Sequence, residues 1–296
     1  KNRLRQAWVY CREGGSPSEF FGTCATRRLV LSNDDFSIAC NNFIGLPIHY
    51  LKPYVGQYIG RKYSLDEYGD RLNHAFRNVP NFLKRRHDSF LDTMGYILSF
   101  TSIKYTLEDK SAFVHPSNAF AHPPITPDIS TYENGMKTIY DLKFVAPMTQ
   151  YFQDSDLPDP TRSTSTSPRP CHTFEGDALE ARARDVQKDY CRAAKTYDSK
   201  HNLGTTTYDR LISYGPVKGL VVGPRGEFSK DLRKLIKKAA ASAAYKYWDS
   251  MGAKDVKIAK ARYLRLFTKT LAVAAVREQA VLIRNSVDAC LAAQRP

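Results

Sequence analysis

Two aspartates and a lysine stand in an order that suits metal-assisted hydrolysis: Pro127-Asp128, twelve residues, then Asp141-Leu142-Lys143. Breaking a phosphodiester calls for a hard divalent cation held by one or two carboxylates, which polarises the phosphoryl oxygen and acidifies a bound water. A nearby ammonium orients that water or stabilises the charge developing on the phosphate. The run Thr138 to Val145 alternates as a strand, placing Ile139, Asp141 and Lys143 on one face and Tyr140, Leu142 and Phe144 on the other. If Asp128 ends the neighbouring strand, three charged groups converge on one small volume. The same residues also fit a plain surface hairpin turned at Asn134-Gly135, with Lys143 paired to Asp141 or Glu133.

The elements that must position these groups are legible in outline. Ser32-Asn33-Asp34-Asp35 reads as a helix start, with Ser32 or Asn33 as cap. Phe82, Phe90, Leu91, Met94, Ile97 and Leu98 recur as on an amphipathic helix over residues 81–98, whose polar side carries Lys84, Arg85, Arg86, His87, Asp88 and Asp92. Strands are predicted near 103–107, 125–131 and 138–145. Gln153 to Gly176 is rich in Asp, Pro, Ser and Thr and reads as a mobile surface loop. A helix is predicted over 177–201, and one or two strands over 208–222. Gly223-Pro224-Arg225-Gly226 is a stop, after which Ser229 caps a helix, Gly252 breaks it, and a long Ala-rich helix runs from Val256 to about Ala293. This is a mixed α/β order. Its natural division is an N-terminal region over 1–80, a core over 81–225 and a basic helical extension over 226–296.

The chain has 296 residues and a formal net charge of +14, which points to a polyanionic partner, nucleic acid first. From Gly226 onward there are fifteen Lys/Arg against six Asp/Glu, so most of the excess sits in the last quarter. A merely solvated basic face is the plain alternative. No apolar run approaches the roughly 20 residues that cross a bilayer, so a membrane is not expected as a partner. The six cysteines are scattered, with no Cys-x-x-Cys pair, which is the usage of reduced thiols in a nuclear or cytosolic protein. No secretory signal is visible, and a chain opening on Lys1 reads as a piece of something longer.

Arg85-Arg86-His87-Asp88, Pro127-Asp128-Ile129 and Tyr140-Asp141-Leu142-Lys143-Phe144, in that order, resemble the restriction-like endonuclease of certain non-LTR retrotransposon proteins. In those proteins an Arg-His-Asp/Asn helix precedes a PD-(D/E)xK core. The run Leu220 to Ser229 resembles their post-catalytic strand and turn, and Tyr190 and Lys195 match positions where such nucleases often carry Tyr and Lys. The resemblance covers roughly residues 30–250. It implies a restriction-endonuclease-like fold, a central mixed sheet flanked by helices. It further implies a nuclear, Mg²⁺- or Mn²⁺-dependent enzyme that nicks double-stranded DNA, exposing a 3′ hydroxyl that primes reverse transcription by an upstream polymerase. One departure stands out. Ser64 to Ala75 matches the frame of the zinc knuckle that precedes the Arg-His-Asp helix, but Arg71 stands where a His ligand belongs and no Cys flanks it. Structural zinc needs four ligands, so none is expected here, and His74 is read as an ordinary surface or core histidine.

On this basis Asp128 and Asp141 are assigned as metal ligands, with the Leu142 carbonyl as a third oxygen. Lys143 is assigned to the attacking water or the scissile phosphate. Asp88 is an extra metal-site carboxylate, and His87 either contacts the phosphate or packs at the helix face. Arg85, Arg86, Lys188, Tyr190, Arg192, Lys195, Lys237 and Lys238 are the nucleic-acid-binding candidates, each also readable as a solvated charge or core residue. Lys257, Lys260, Arg262, Arg265 and Lys269 could track a duplex through salt-sensitive contacts. Leu264, Phe267, Leu271, Ala274 and Ala275 read as core. Two alternatives stay open: an inactive nuclease-like module that binds nucleic acid or scaffolds an assembly, and an RNA endonuclease of the same fold.

Overall fold

Alternation along one strand decides how this chain layers. The computed structural model describes residues 30–59, 63–69, 72, 80–113, 125–133, 135–145, 174–223 and 225–292. Strand β5 (Met136–Phe144) lies between two neighbours, labelling strands in chain order from a short ribbon of β1 (Tyr58–Ile59) and β2 (Tyr63–Ser64). β3 (Lys104–Leu107), β4 (Ile129–Glu133) and β5 form an antiparallel meander, and β6 (Lys218–Val222) joins β5 in parallel, giving the order β3-β4-β5-β6. Gly135 turns the β4–β5 hairpin at φ 77°, the left-handed backbone that glycine tolerates.

A parallel neighbour requires a crossover. Here it consists of α3 (Phe174–His201) and α4 (Thr206–Ser213). Before the meander come α1 (Asn33–Ile44), a 3₁₀ turn (His49–Tyr54) and α2 (Pro80–Ser99). After β6 come α5 (Lys230–Tyr247) and α6 (Val256–Ala292). Ser32 is the cap of α1, its hydroxyl accepting from the Asp35 N–H at 3.1 Å. Ser229 caps α5 and also ties it to the sheet, accepting from Val221 N–H at 3.0 Å and donating to the Gly219 carbonyl at 2.9 Å.

The two faces of β5 bury different things, as the alternation requires. Tyr140 and Leu142 pack with Phe90, Met94 and Leu98 of α2, Leu232 and Ile236 of α5, and Phe267 and Leu271 of α6. Ile139, on the other face, packs with Val186, Tyr190 and Ala194 of α3 and Leu211 of α4. The protein is thus a mixed α/β structure with helices on both faces of a four-stranded mixed sheet.

Three sequence expectations need correction. First, 226–296 is no appendage: α5 and α6 supply the main core, and Phe267, Leu271, Ala274 and Ala275 are all buried in it. Further along, Ala280, Ile283 and Val287 of α6 close over Ile38, Ile48, Leu51, Leu65 and Leu72 of the N-terminal region. From Thr270 to Val276 every residue of α6 is buried, as on a helix enclosed on several sides. Second, residues 208–213 of the stretch expected as strand belong to α4. Thr205 to Tyr208 is β-prone by composition, but the buried Asp198 carboxylate accepts from Thr207 N–H at 3.0 Å and Tyr208 N–H at 2.9 Å, which starts a helix. Third, Phe174 to Gly176 belong to α3 and not to the preceding loop. The rest of that expected loop, together with Arg71 and His74 of the zinc-knuckle-like segment, lies outside the described residues. Cys40 and Cys191 are half-buried free thiols.

Candidate active site

The strand ladder itself leaves a gap where the carboxylates meet. Ile129 pairs with Tyr140 at the end of the β4–β5 register. Two residues further along this register Leu142 would face Pro127, which has no N–H to offer its carbonyl. The Leu142 N–H donates instead to Asp128 Oδ2 at 2.5 Å. Within a strand the N–H and C=O of one residue point to the same side, so the Leu142 carbonyl faces this gap as well. On its far side, the Asp128 and Pro127 carbonyls accept from Glu108 N–H at 2.9 Å and Asp109 N–H at 3.0 Å, which fixes the segment against the end of β3.

Asp141 sits beside this gap on β5 and is only 4% exposed. Its Oδ1 accepts from the Tyr190 hydroxyl at 2.9 Å, and its Oδ2 lies 2.6 Å from Lys143 Nζ. That Oδ2 is buried without a hydrogen bond of regular geometry. Burial pushes the Asp141 carboxyl up; the Asp128 charge adds to the push, while Lys143 and Tyr190 oppose it. Burial, with the Asp141 charge, also drives the Tyr190 phenol up, so Tyr190 remains a protonated donor. Lys143 reaches outward to the rim, its side chain about a third exposed.

Helix α2 delivers a histidine to the same place. His87 Nε2 is 3.2 Å from Asp128 Oδ2, and its Nδ1 is 3.2 Å from Asp88 Oδ1. Burial alone would lower the His87 pKa, but hydrogen bonds to Asp128 and Asp88 and their charges outweigh it and raise it. Asp88 is also held by Lys84 at 2.5 Å, and that bond, with His87, keeps its carboxyl below the usual range. His87 therefore bridges two carboxylates.

A divalent ion fits the donor set that these residues present. Asp128, Asp141 and the Leu142 carbonyl are all oxygen donors, and the buried Asp141 Oδ2 has a lone pair without a regular partner. Among the described residues no three His, Cys, Asp or Glu side chains form a metal-binding group. A site with two carboxylates and one carbonyl matches the habit of Mg²⁺, which keeps several waters and binds through one or two carboxylates plus phosphate oxygens. No protein-family model matches this chain, and no curated protein matches it.

The sequence-predicted nucleic-acid contacts divide in two. Arg85 is exposed and lines a shallow concavity along α2 with Asn81, Lys84, Asp88, Ser89 and Asp92. Lys188, Arg192, Lys195 and Lys237 are also exposed. Lys188 pairs with Asp185 at 3.1 Å, and Lys195 sits 4.6 Å from the Tyr208 ring centroid. The other three have close partners within the protein. Arg86 lies against Phe144, 4.5 Å from its ring centroid, and donates to Gln279 at 2.6 Å. Burial lowers its pKa to about 10, with Glu278 opposing. It braces α2 on α6. Tyr190 is buried and orients Asp141. Lys238 pairs with Glu133 across from the β4–β5 hairpin.

Helical spacing carries the signal for two of these. Arg86 falls one turn before Phe90 and two before Met94, on the buried stripe of α2. Tyr190 falls between Val186 and Ala194 on the buried stripe of α3. A second buried ion pair escaped the sequence reading. Asp109, 1% exposed, accepts from Ser111 N–H and hydroxyl at 3.1 and 2.6 Å and pairs with Lys137 at 2.6 Å. Burial would raise its carboxyl, but Lys137, Ser111 and Ser130 hold it down to about 2. Arg225, fully buried in the β6–α5 turn, donates to the Asn42 carbonyl at 3.2 Å and so ties that turn to the N-terminal region.

Proposed function

We propose that this protein is a metal-dependent DNA endonuclease of the restriction-like kind found in non-LTR retrotransposon proteins, acting on duplex DNA in the nucleus. The observation that carries the reading is the meeting of Asp128, Asp141 and Lys143 where the β4–β5 ladder opens, with Lys143 Nζ 2.6 Å from Asp141. The element order, one helix, an antiparallel meander, a helical crossover and a parallel strand, supports the expected restriction-like core.

Asp128, Asp141 and the Leu142 carbonyl would hold Mg²⁺ or Mn²⁺. When bound, the ion supplies positive charge for the phosphoryl oxygen and acidity for a coordinated water. Tyr190 fixes the Asp141 carboxylate through Oδ1 and leaves Oδ2 toward the gap and Lys143. The rim position of Lys143 lets its ammonium orient the attacking water or meet a non-bridging phosphate oxygen. His87 restrains Asp128 from the α2 side and lies between two carboxylates. Strand cleavage would leave a 3′ hydroxyl for an upstream reverse transcriptase.

The test is nicking of supercoiled plasmid with Mg²⁺ or Mn²⁺, wild type beside Asp141→Asn and Asp128→Ala, with single-stranded RNA as a second substrate. Wild-type nicking lost in both variants is expected. Nicking retained by both variants overturns the site assignment. DNA retention without cleavage by any of the three moves the protein to the binding-module reading, and cleavage of RNA alone moves it to the ribonuclease one.

A further inference from the structure

Several of the cations around the candidate site already have partners. Lys84 pairs with Asp88, Lys188 with Asp185, Lys234 with Asp231, Arg182 with Asp189 and Lys238 with Glu133. The start of α6 is different. Lys254, Lys257, Lys260, Arg262 and Arg265 are all exposed, and none makes an ion pair among the described residues. Between Val256 and Arg277 the sequence holds six Lys/Arg and no Asp or Glu. The nearby carboxylate of Asp255 is committed to the helix start, where its Oδ1 accepts from the Ile258 N–H at 2.7 Å.

Five like charges close together repel one another, and such a cluster is relieved by a bound polyanion. Lys257 to Arg265 spans about 12 Å of α6, and Lys254 stands just before its first turn. Each strand of duplex DNA carries about one phosphate per 3.4 Å of helix axis, so a strand laid along this length, Lys254 included, offers about five phosphates to these cations. A bilayer is the poorer fit. An interfacial helix must offer an apolar face, and the apolar face of α6, Ala259, Tyr263, Phe267 and Leu271, is already buried in the core. We infer that the exposed basic face at the start of α6 is a second nucleic-acid contact, binding the duplex backbone without regard to sequence. It stands apart from the carboxylate site, because α6 braces α2 near that site through Gln279, about 20 Å further along the helix from Arg265.

Binding can be read without cleavage, so failure of the nuclease reading and failure of this surface are separable. A labelled short duplex is titrated with the full chain in EDTA over a series of NaCl concentrations. The protein is wild type or carries Lys254→Gln, Lys257→Gln, Lys260→Gln, Arg262→Gln and Arg265→Gln together. Each lost phosphate contact lowers the magnitude of the slope of log K against log salt by about 0.9, so the variant should fall by up to about 4.5. A control carrying Arg182→Gln and Lys234→Gln, which removes cations paired to Asp189 and Asp231, should change the slope by less than about 1. Circular dichroism melts and the double variant Arg262→Gln, Arg265→Gln guard against misfolding, the latter with an expected slope loss of about 2. An unchanged slope in folded variants overturns the inference. So does a loss confined to phosphatidylserine vesicles with DNA binding intact.

Discussion

Replacing Tyr190 with Phe is the sharpest test of how Asp141 is held. The substitution deletes one hydroxyl, 2.9 Å from Asp141 Oδ1, and leaves the ring among Ile139, Val186 and Ala194. Asp141 is 4% exposed, so water has poor access to replace the lost donor. A hydrogen bond to an ionised group contributes about 1.5–3 kcal/mol and one between neutral groups about 0.5–1.5. The difference, about 1 to 1.5 kcal/mol, corresponds to a rise of about one pKa unit in Asp141. The folded Asp141 carboxyl already lies above its ordinary value. Its titration therefore favours the fold fully below the unfolded value of about 3.9, and that advantage is lost as pH rises through the folded pKa. Raising the folded pKa further makes the variant's deficit grow across this window. Urea denaturation should show a loss of about 1 kcal/mol near about pH 4 and about 2–3 near about pH 8. Carboxyl NMR should place the Asp141 titration higher in the variant, and Mn²⁺ should bind more weakly because the proton competes with the metal. A loss that is the same at both pH values, or below about 0.5 kcal/mol at each, would refute the account.

Two further substitutions test the supports of the site. A methyl on Gly219 would lie 2.5 Å from the Ala183 Cα and 2.8 Å from its carbonyl oxygen, forcing α3 off β6, so Gly219→Ala should cost about 3 kcal/mol or more. Gly135→Ala meets nothing within 4 Å and should cost only about 1–2 kcal/mol for its positive φ, a contrast that thermal melts will read. Asp109→Asn leaves Lys137 with little exposure and no counter-charge, and should cost about 3–5 kcal/mol near neutral pH. The Asp109 carboxyl is held down to about 2, so its stabilisation is present above the unfolded value and lost as pH falls through about 2. The variant should lack that acid-dependent component in a pH series of melts.

Much of the fold was legible where periodicity and punctuation agree. The alternation of residues 138–145 assigned both faces of β5 correctly, because one-residue slips would expose Leu142 or bury the wrong face. Ser32, Ser229, Gly135 and Gly252 marked ends and turns through chemistry local to each position. What stayed hidden depended on partners distant in sequence. Thr205 to Tyr208 has the composition of a strand until the Asp198 carboxylate takes up its N–H groups. Arg86 and Lys238 have the types of phosphate ligands, yet Gln279 and Phe144 claim one and Glu133 the other. Charge counts could find the basic C-terminal quarter, but not which cations lack partners.

The long final helix sets an order of assembly. The Tyr50 hydroxyl donates to Asp288 across 238 residues, and Arg86 donates to Gln279 across 193. The cover for Ile38 and Leu51, and the brace under α2, both come from residues that leave the ribosome late. Helix α1 and the turn after it thus emerge during synthesis with apolar surface that is covered only once α6 is made. A chain interrupted within α6 loses the packing of both the N-terminal region and the helix bearing His87, so proteins cut short there are candidates for degradation before any site is formed.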